Sequence, residues 1–447
     1  MKGDFSRNTY RPASQYSRVM MQQGRVQIDA DWNEQTSILL GYMRALTRDL
    51  FGAHAGPQDE CGFKIVGSAN RESLIPSESA MVGEALKREG KHLGDKDMML
   101  LPGRYYVGGL PVELDRPMLL TDQFGSEPEG AKTKRPASAG WFAYLDVWED
   151  YVSADQDEYI REGALGGADT CGRARINWRV QVMLDPKADS PLSALARSKE
   201  ALIKVIAKST ETSESLCSID PDARYRGPEN QLYRIEIQTG SDADAPTFKW
   251  SRDNGAVTFP VLVSQGTTLT LAHLGRDQAT GLVVGDWVEL IDDARQAAFG
   301  VGQMAQVSAI DAHDLIVTLK PADPAVGLRA YLEGEASELH ALLRRWDHRG
   351  QATEEGKGAI TAKPGENIEL EDGIFATFKE GDFRAGDYWL IPARVLTGDV
   401  EWEELADADG FRPPDGPHHF YAPLARRSGD GIEDLRCQIA RLPCVSK

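Results

Sequence analysis

Between Ile176 and Leu184 the chain alternates: Ile176, Trp178, Val180, Val182 and Leu184 are apolar, and Asn177, Arg179 and Gln181 lie between them. A period of two is that of an extended strand with one covered face, because successive side chains point to opposite sides of the pleat. The pattern recurs along most of the chain. Trp141–Val152 is crowded with aromatic and β-branched residues, as buried strands are. Met98–Gly109 reads as strand, turn, strand and tight turn. Further strands are predicted at 232–237, 247–250, 257–263, 268–271, 281–291, 303–310, 315–319, 373–378 and 387–396. Three of these fall between Gly281 and Leu319, about forty residues, which predicts a small barrel or a sandwich edge. The fold class read from this is mainly β, with sandwich- or barrel-like domains.

Helical periodicity is rarer. Trp32, Leu39, Met43, Leu46 and Leu50 are spaced 7, 4, 3 and 4 apart, on one face of a helix that Asp29 or Asp31 caps and Gly52 ends. That spacing suits either a packed amphipathic helix or a short oligomer seam. Helices are also predicted over Pro191–Lys208 and Glu335–Trp346. Before the first helix, Met1–Ser17 is a polar arm without periodicity, carrying Phe5, Tyr10 and Tyr16 as spaced aromatic anchors. The predicted organisation is an arm and helix over 1–58, a mainly-β domain over 59–260, a small barrel-like unit over 261–330 and a β-rich region over 331–447. Ser209–Asn230, residues 350–366 and the tail Pro413–Leu424 read as irregular.

With 447 residues and a hydrophobic share of 41%, the chain has material for several cores. Its net charge of −19 opposes binding to nucleic acid or to an anionic lipid surface. Residues 1–50 hold seven basic and five acidic residues, a local +2 that leaves −21 for the rest. The five cysteines, Cys61, Cys171, Cys217, Cys437 and Cys444, show no CxxC pair, so neither a zinc site nor a disulfide network is expected. The opening residues lack the apolar core of a signal peptide, and no apolar run is long enough to span a bilayer. Synthesis in a cytoplasm is expected, with retention there unless a dedicated machine exports the protein.

Catalytic signatures are missing: there is no GxSxG, HExxH, GxxxxGK[ST] or GxGxxG. Leu405–Gly410 faintly resembles a calcium loop, yet Leu405 and Gly416 occupy the two positions that need oxygen ligands. His418 and His419 are adjacent and would point to opposite sides of a strand. Carboxylate pairs such as Asp292/Asp293 and Asp146/Asp150 meet the minimum for glycoside chemistry, but pairs arise readily among 69 acids. No catalytic residue, metal or cofactor is expected. Asn254-Gly255 is a hairpin signal, with Trp250 as a core anchor and Arg252 and Asp253 positioned to pair across the turn.

Several phrases resemble one uncharacterised bacterial family in order: MKGDFSRNTY, MQQGRVQIDADWNEQ from Met21 to Gln35, ALGGADT, NQLYRIEI, FKWSRDNG, GDYWLIPAR and HHFYAPLA. The resemblance runs from Met1 to about Leu424. Genes of that family are often found among those of phage-tail-like contractile injection systems. The resemblance implies a structural component. It is expected near the baseplate or spike, with the arm and helix joining it to other particle proteins or to sister copies as a homo-oligomer. The particle itself would be released or membrane-anchored. No catalytic residues come with it. The residues expected to dock are Phe5, Tyr10, Tyr16 and Arg25 in the arm region, and Trp32, Leu39, Met43 and Leu46 on the helix. A glycan-active or glycan-binding β protein is one alternative, and cargo of the particle is another.

Overall fold

A computed structural model describes residues 1–90, 93, 98–123, 140–184, 191–207, 225–241, 245–277, 280–332, 334–352, 357–402, 406–429 and 431–440. The sequence expectations placed on 209–224, Cys217, Leu405 and Cys444 lie outside the described residues.

The architecture is mainly β, as the alternation predicts, with two sandwich-like cores and a closed barrel. In the first core, Trp141–Val152 pairs along its whole length with Arg173–Leu184 and on its other edge with Phe420–Ser428. The inward residues Trp141, Ala143, Leu145 and Val147 pack against Tyr105, Val107, Leu110 and Val112 of the neighbouring hairpin. In the second core, a five-stranded sheet centred on Gln231–Thr239 packs on a three-stranded sheet of 203–207, 374–378 and 367–369. Six further strands, running from Thr258–Gln265 to Leu342–Trp346, close the barrel around Phe259, Leu269, Val288, Leu290 and Leu343.

Both later helix expectations are corrected. Where the sequence predicts a helix over Pro191–Lys208, residues 191–207 hold a 3-10 turn at Pro191–Leu195 and then a strand, Ile203–Ala207, paired with Ile374–Phe378. Ile203, Val205 and Ala207 are buried in alternation, so the strand period governs once the distant partner is present. Glu335–Trp346 keeps only one helical turn, Glu335–Glu338, and Leu342–Trp346 is the strand that closes the barrel. All five of its residues are buried, because the barrel interior covers one side and the five-stranded sheet lies near the other. A run covered on both sides has no alternation to read. The tail is not wholly irregular, since Phe420–Ser428 is a strand of the first sheet. Pro76–Glu89 forms a further helix, whose inner face is buried through Val82, Ala85 and Leu86.

Asn254-Gly255 does turn the chain, with φ of +49° and +64°, but no hairpin forms. Thr247–Ser251 belongs to the five-stranded sheet and Thr258–Gln265 to the barrel, so the turn passes the chain from one body to the next. Arg252 and Asp253 do not pair with each other. Arg252 reaches Glu371 at 2.7 Å, and Asp253 lies 3.7 Å from Arg345.

Candidate docking surface

The first helix, α1 (Asp29–Phe51), begins after Ile28, which occupies the cap position in extended conformation with no side-chain cap. Asp29 is therefore not the cap. Its carboxylate instead accepts the amide and hydroxyl of Ser6 at 2.9 and 2.6 Å. Gly52 ends the helix at φ +80°, as expected.

α1 turns its two faces in opposite senses to the usual surface helix. Ala30 and Ile38 are buried against the rest of the chain. Gly41 shares their side, where a Cβ would collide with the Tyr10 hydroxyl. At about 100° per residue, Trp32, Leu39, Met43, Leu46 and Leu50 lie on the opposite side. They are exposed to between 53% (Leu39) and 70% (Trp32). The stripe that the spacing reveals is thus the outward one, and the small residues face in.

The arm folds back on its own chain, and its first residues penetrate deepest. Lys2 reaches the buried Glu236 at 3.1 Å, and the Met1 amino group donates to the Tyr388 hydroxyl. Burial, more than any neighbour, pulls that amino group down to about 4 and lowers Lys2 as well. Asn254 Nδ2 donates to the carbonyls of Met1 and Gly3 at 3.0 and 2.9 Å. Phe5 meets Tyr151 edge to face, with ring centroids 5.3 Å apart. Arg7 pairs with Glu401 at 2.8 Å. The arm then runs beside α1: Thr9 donates to Glu34 at 2.6 Å and the Val19 amide to Gln35 at 2.8 Å, while the Tyr16 carbonyl accepts from Tyr42 at 3.4 Å.

The expected docking residues therefore divide. Phe5 and Tyr10 hold the arm to its own body. Tyr16 and Arg25 are exposed, as are Trp32, Leu39, Met43 and Leu46. Sequence reasoning missed Met20, Met21, Val26 and Ile28, which are also exposed beside the helix start. Their signal was compositional only: apolar residues in a stretch with no period. Between the arm and the five-stranded sheet lies a groove of about 780 Å³, lined by Phe5, Arg7, Asp29, Asp253 and Arg394 among others. Burial, and then the nearby Asp347, push Asp253 up to about 6.

The other motifs have structural partners. Asp292 caps Asp293–Phe299 through the Arg295 amide and accepts the Tyr331 hydroxyl at 2.7 Å, while Asp293 holds Arg175 and His340. Asp146 binds His419, which stacks on Trp148. Asp407 accepts the amides of Asp409 and Phe411 in its own loop. Trp32 alone among the nine tryptophans is largely exposed. Cys61, Cys171 and Cys437 are free thiols. Among the described residues, no helix is long and apolar enough to cross a membrane.

Comparison with curated proteins and with solved structures gives no match. A family of unknown function, DUF6519, matches over residues 1–215 and over 195–444, two overlapping stretches that together take in nearly the whole chain. The chain belongs to that family.

Proposed function

We propose that this protein is a structural component that works by binding other proteins through α1 and the exposed segment before it. The assembly we propose is a phage-tail-like contractile injection particle, near its baseplate or spike, the setting implied by the resemblance of its sequence phrases. The observation that carries the binding reading is the outward apolar stripe of α1. A monomeric surface seldom exposes a contiguous apolar patch beyond a few hundred Å². The five residues of the stripe, each more than half exposed, present on the order of 600 Å² together, beyond that limit. A protein partner fits this face better than a lipid surface, because interfacial helices carry a Lys/Arg-rich polar face. α1 has only Arg44 and Arg48, and Arg44 is tied to Glu149.

The test is to express the chain and a Met43→Glu/Leu46→Glu variant in cells that make the native particles, then fractionate by sedimentation. Wild type should travel with high-mass particles and the variant should stay at the top of the gradient. A wild-type chain found only as free protein overturns the reading. Deleting residues 1–52 is a poorer test, since that also removes Lys2, Ala30 and Ile38 from the body.

A further inference from the structure

We infer that the occupant of the α1 stripe is a second copy of this chain, its own α1 lying antiparallel across the first. This rests on the protein-binding reading above and names the partner.

The stripe has the register of a coiled-coil seam. Trp32, Leu39 and Leu46 fall at one core position of a heptad, and Thr36, Met43 and Leu50 at the other. The positions flanking this seam are Asn33, Leu40 and Thr47 on one side and Gln35, Tyr42 and Asp49 on the other. Five of these six are uncharged, so two copies can approach without like-charge repulsion along the seam. The second flank carries the arm of its own chain, bonded at Gln35 and Tyr42. The first flank is open.

Antiparallel pairing is favoured by shape and by the helix dipoles. Set head to tail, Leu39 faces Met43 of the second copy, Leu46 faces Thr36, and Trp32 faces Leu50. The largest core residue thus avoids meeting itself, and the smallest meets a leucine. The two helix dipoles also oppose in this arrangement. A parallel pair stacks Trp32 on Trp32 and aligns the two dipoles. At 23 residues α1 is about 34 Å long, enough to present the whole stripe. The contact is isologous and closes as a dimer.

The experiment is light-scattering mass across a concentration series, on the full chain and on two variants, Leu39→Glu/Met43→Glu and Leu46→Lys. Wild type should be a dimer that dissociates on dilution, with Trp32 emission shifting to the red as its ring is uncovered. Both variants should be monomers with an unchanged circular dichroism spectrum, since the altered side chains are exposed in the single chain. A wild-type monomer at every concentration overturns the inference, and so does a dimer that survives both variants. If a wild-type monomer still enters particles while Met43→Glu/Leu46→Glu does not, self-pairing fails and the protein-binding reading stands.

Discussion

Lys249 and Glu289 form a fully buried ion pair, Nζ to Oε1 at 2.7 Å, joining the five-stranded sheet to the barrel. Lys249 also lies 3.3 Å from Glu236 and 4.6 Å from the centre of the Trp346 ring, and Trp346 Nε1 donates to Glu289 at 3.0 Å. Arg234 and Lys2 complete the cluster on Glu236. Three parts of the chain, the arm, a sheet and the barrel, thus meet on two buried carboxylates.

Lys249→Met should cost about 3–5 kcal/mol, because it leaves Glu289 buried beside no cation of its own. The double variant Lys249→Met/Glu289→Gln should recover part of that loss, since the buried charge is gone, although the single glutamine oxygen accepts from Trp346 or from Gly302 and not from both. Denaturant titration of the single and double variants checks both. Burial raises the Glu289 pKa, but Lys249 and then Lys2 outweigh it and hold the group at about 2. The stability tied to this charge is therefore present above about 4.5 and lost as the pH falls toward 2. Wild type should lose stability through that window, and the double variant should lose less.

Asp253→Asn should stabilise the protein at pH 7. The folded state disfavours the Asp253 charge, so ionisation above about 6 costs stability and protonation below it relieves the cost. The side chain is about a third exposed, and solvent screening reduces the gain to the order of 1 kcal/mol. Thermal melts should show the gain at pH 7 and none at pH 4.

Asn254→Gly and Asn254→Ala separate two roles of one residue. Glycine keeps the positive φ and loses the side-chain bonds to Met1, Gly3 and Arg234, at a cost of about 1–3 kcal/mol. Alanine loses the same bonds and adds about 1–2 kcal/mol of left-handed strain. Unfolding titrations should rank wild type above the glycine variant and that above the alanine variant.

Gly41→Leu should release the arm from α1, even though leucine favours a helix by close to 1 kcal/mol over glycine. The new side chain occupies the place of the Tyr10 hydroxyl. Hydrogen exchange at the Val19 amide, bonded to Gln35, should quicken by about tenfold, equivalent to about 1.4 kcal/mol. Exchange within the barrel should stay unchanged.

The periodicity of α1 identified Trp32, Leu39, Met43 and Leu46 as one face, but not the direction of that face. Direction depends on Gly41, which lets Tyr10 close over the other side, and on Ile38, which is buried there. The strand at 342–346 was hidden for a related reason: coverage on both sides erases the alternation that marks a strand.

Which side chains share a face follows from residue order alone, because backbone geometry sets a period of two in strands and 3.6 in helices. In Gln231–Thr239 that period places Tyr233, Ile235 and Ile237 on one side and Arg234, Glu236 and Gln238 on the other. That Arg234 and Glu236 on the polar side are buried too, under the barrel and the arm, where Lys249 and Lys2 balance Glu236, comes from long-range packing. Local geometry sets a residue's neighbours along its own element. What covers that element comes from contacts made far along the chain, and those leave no period to read.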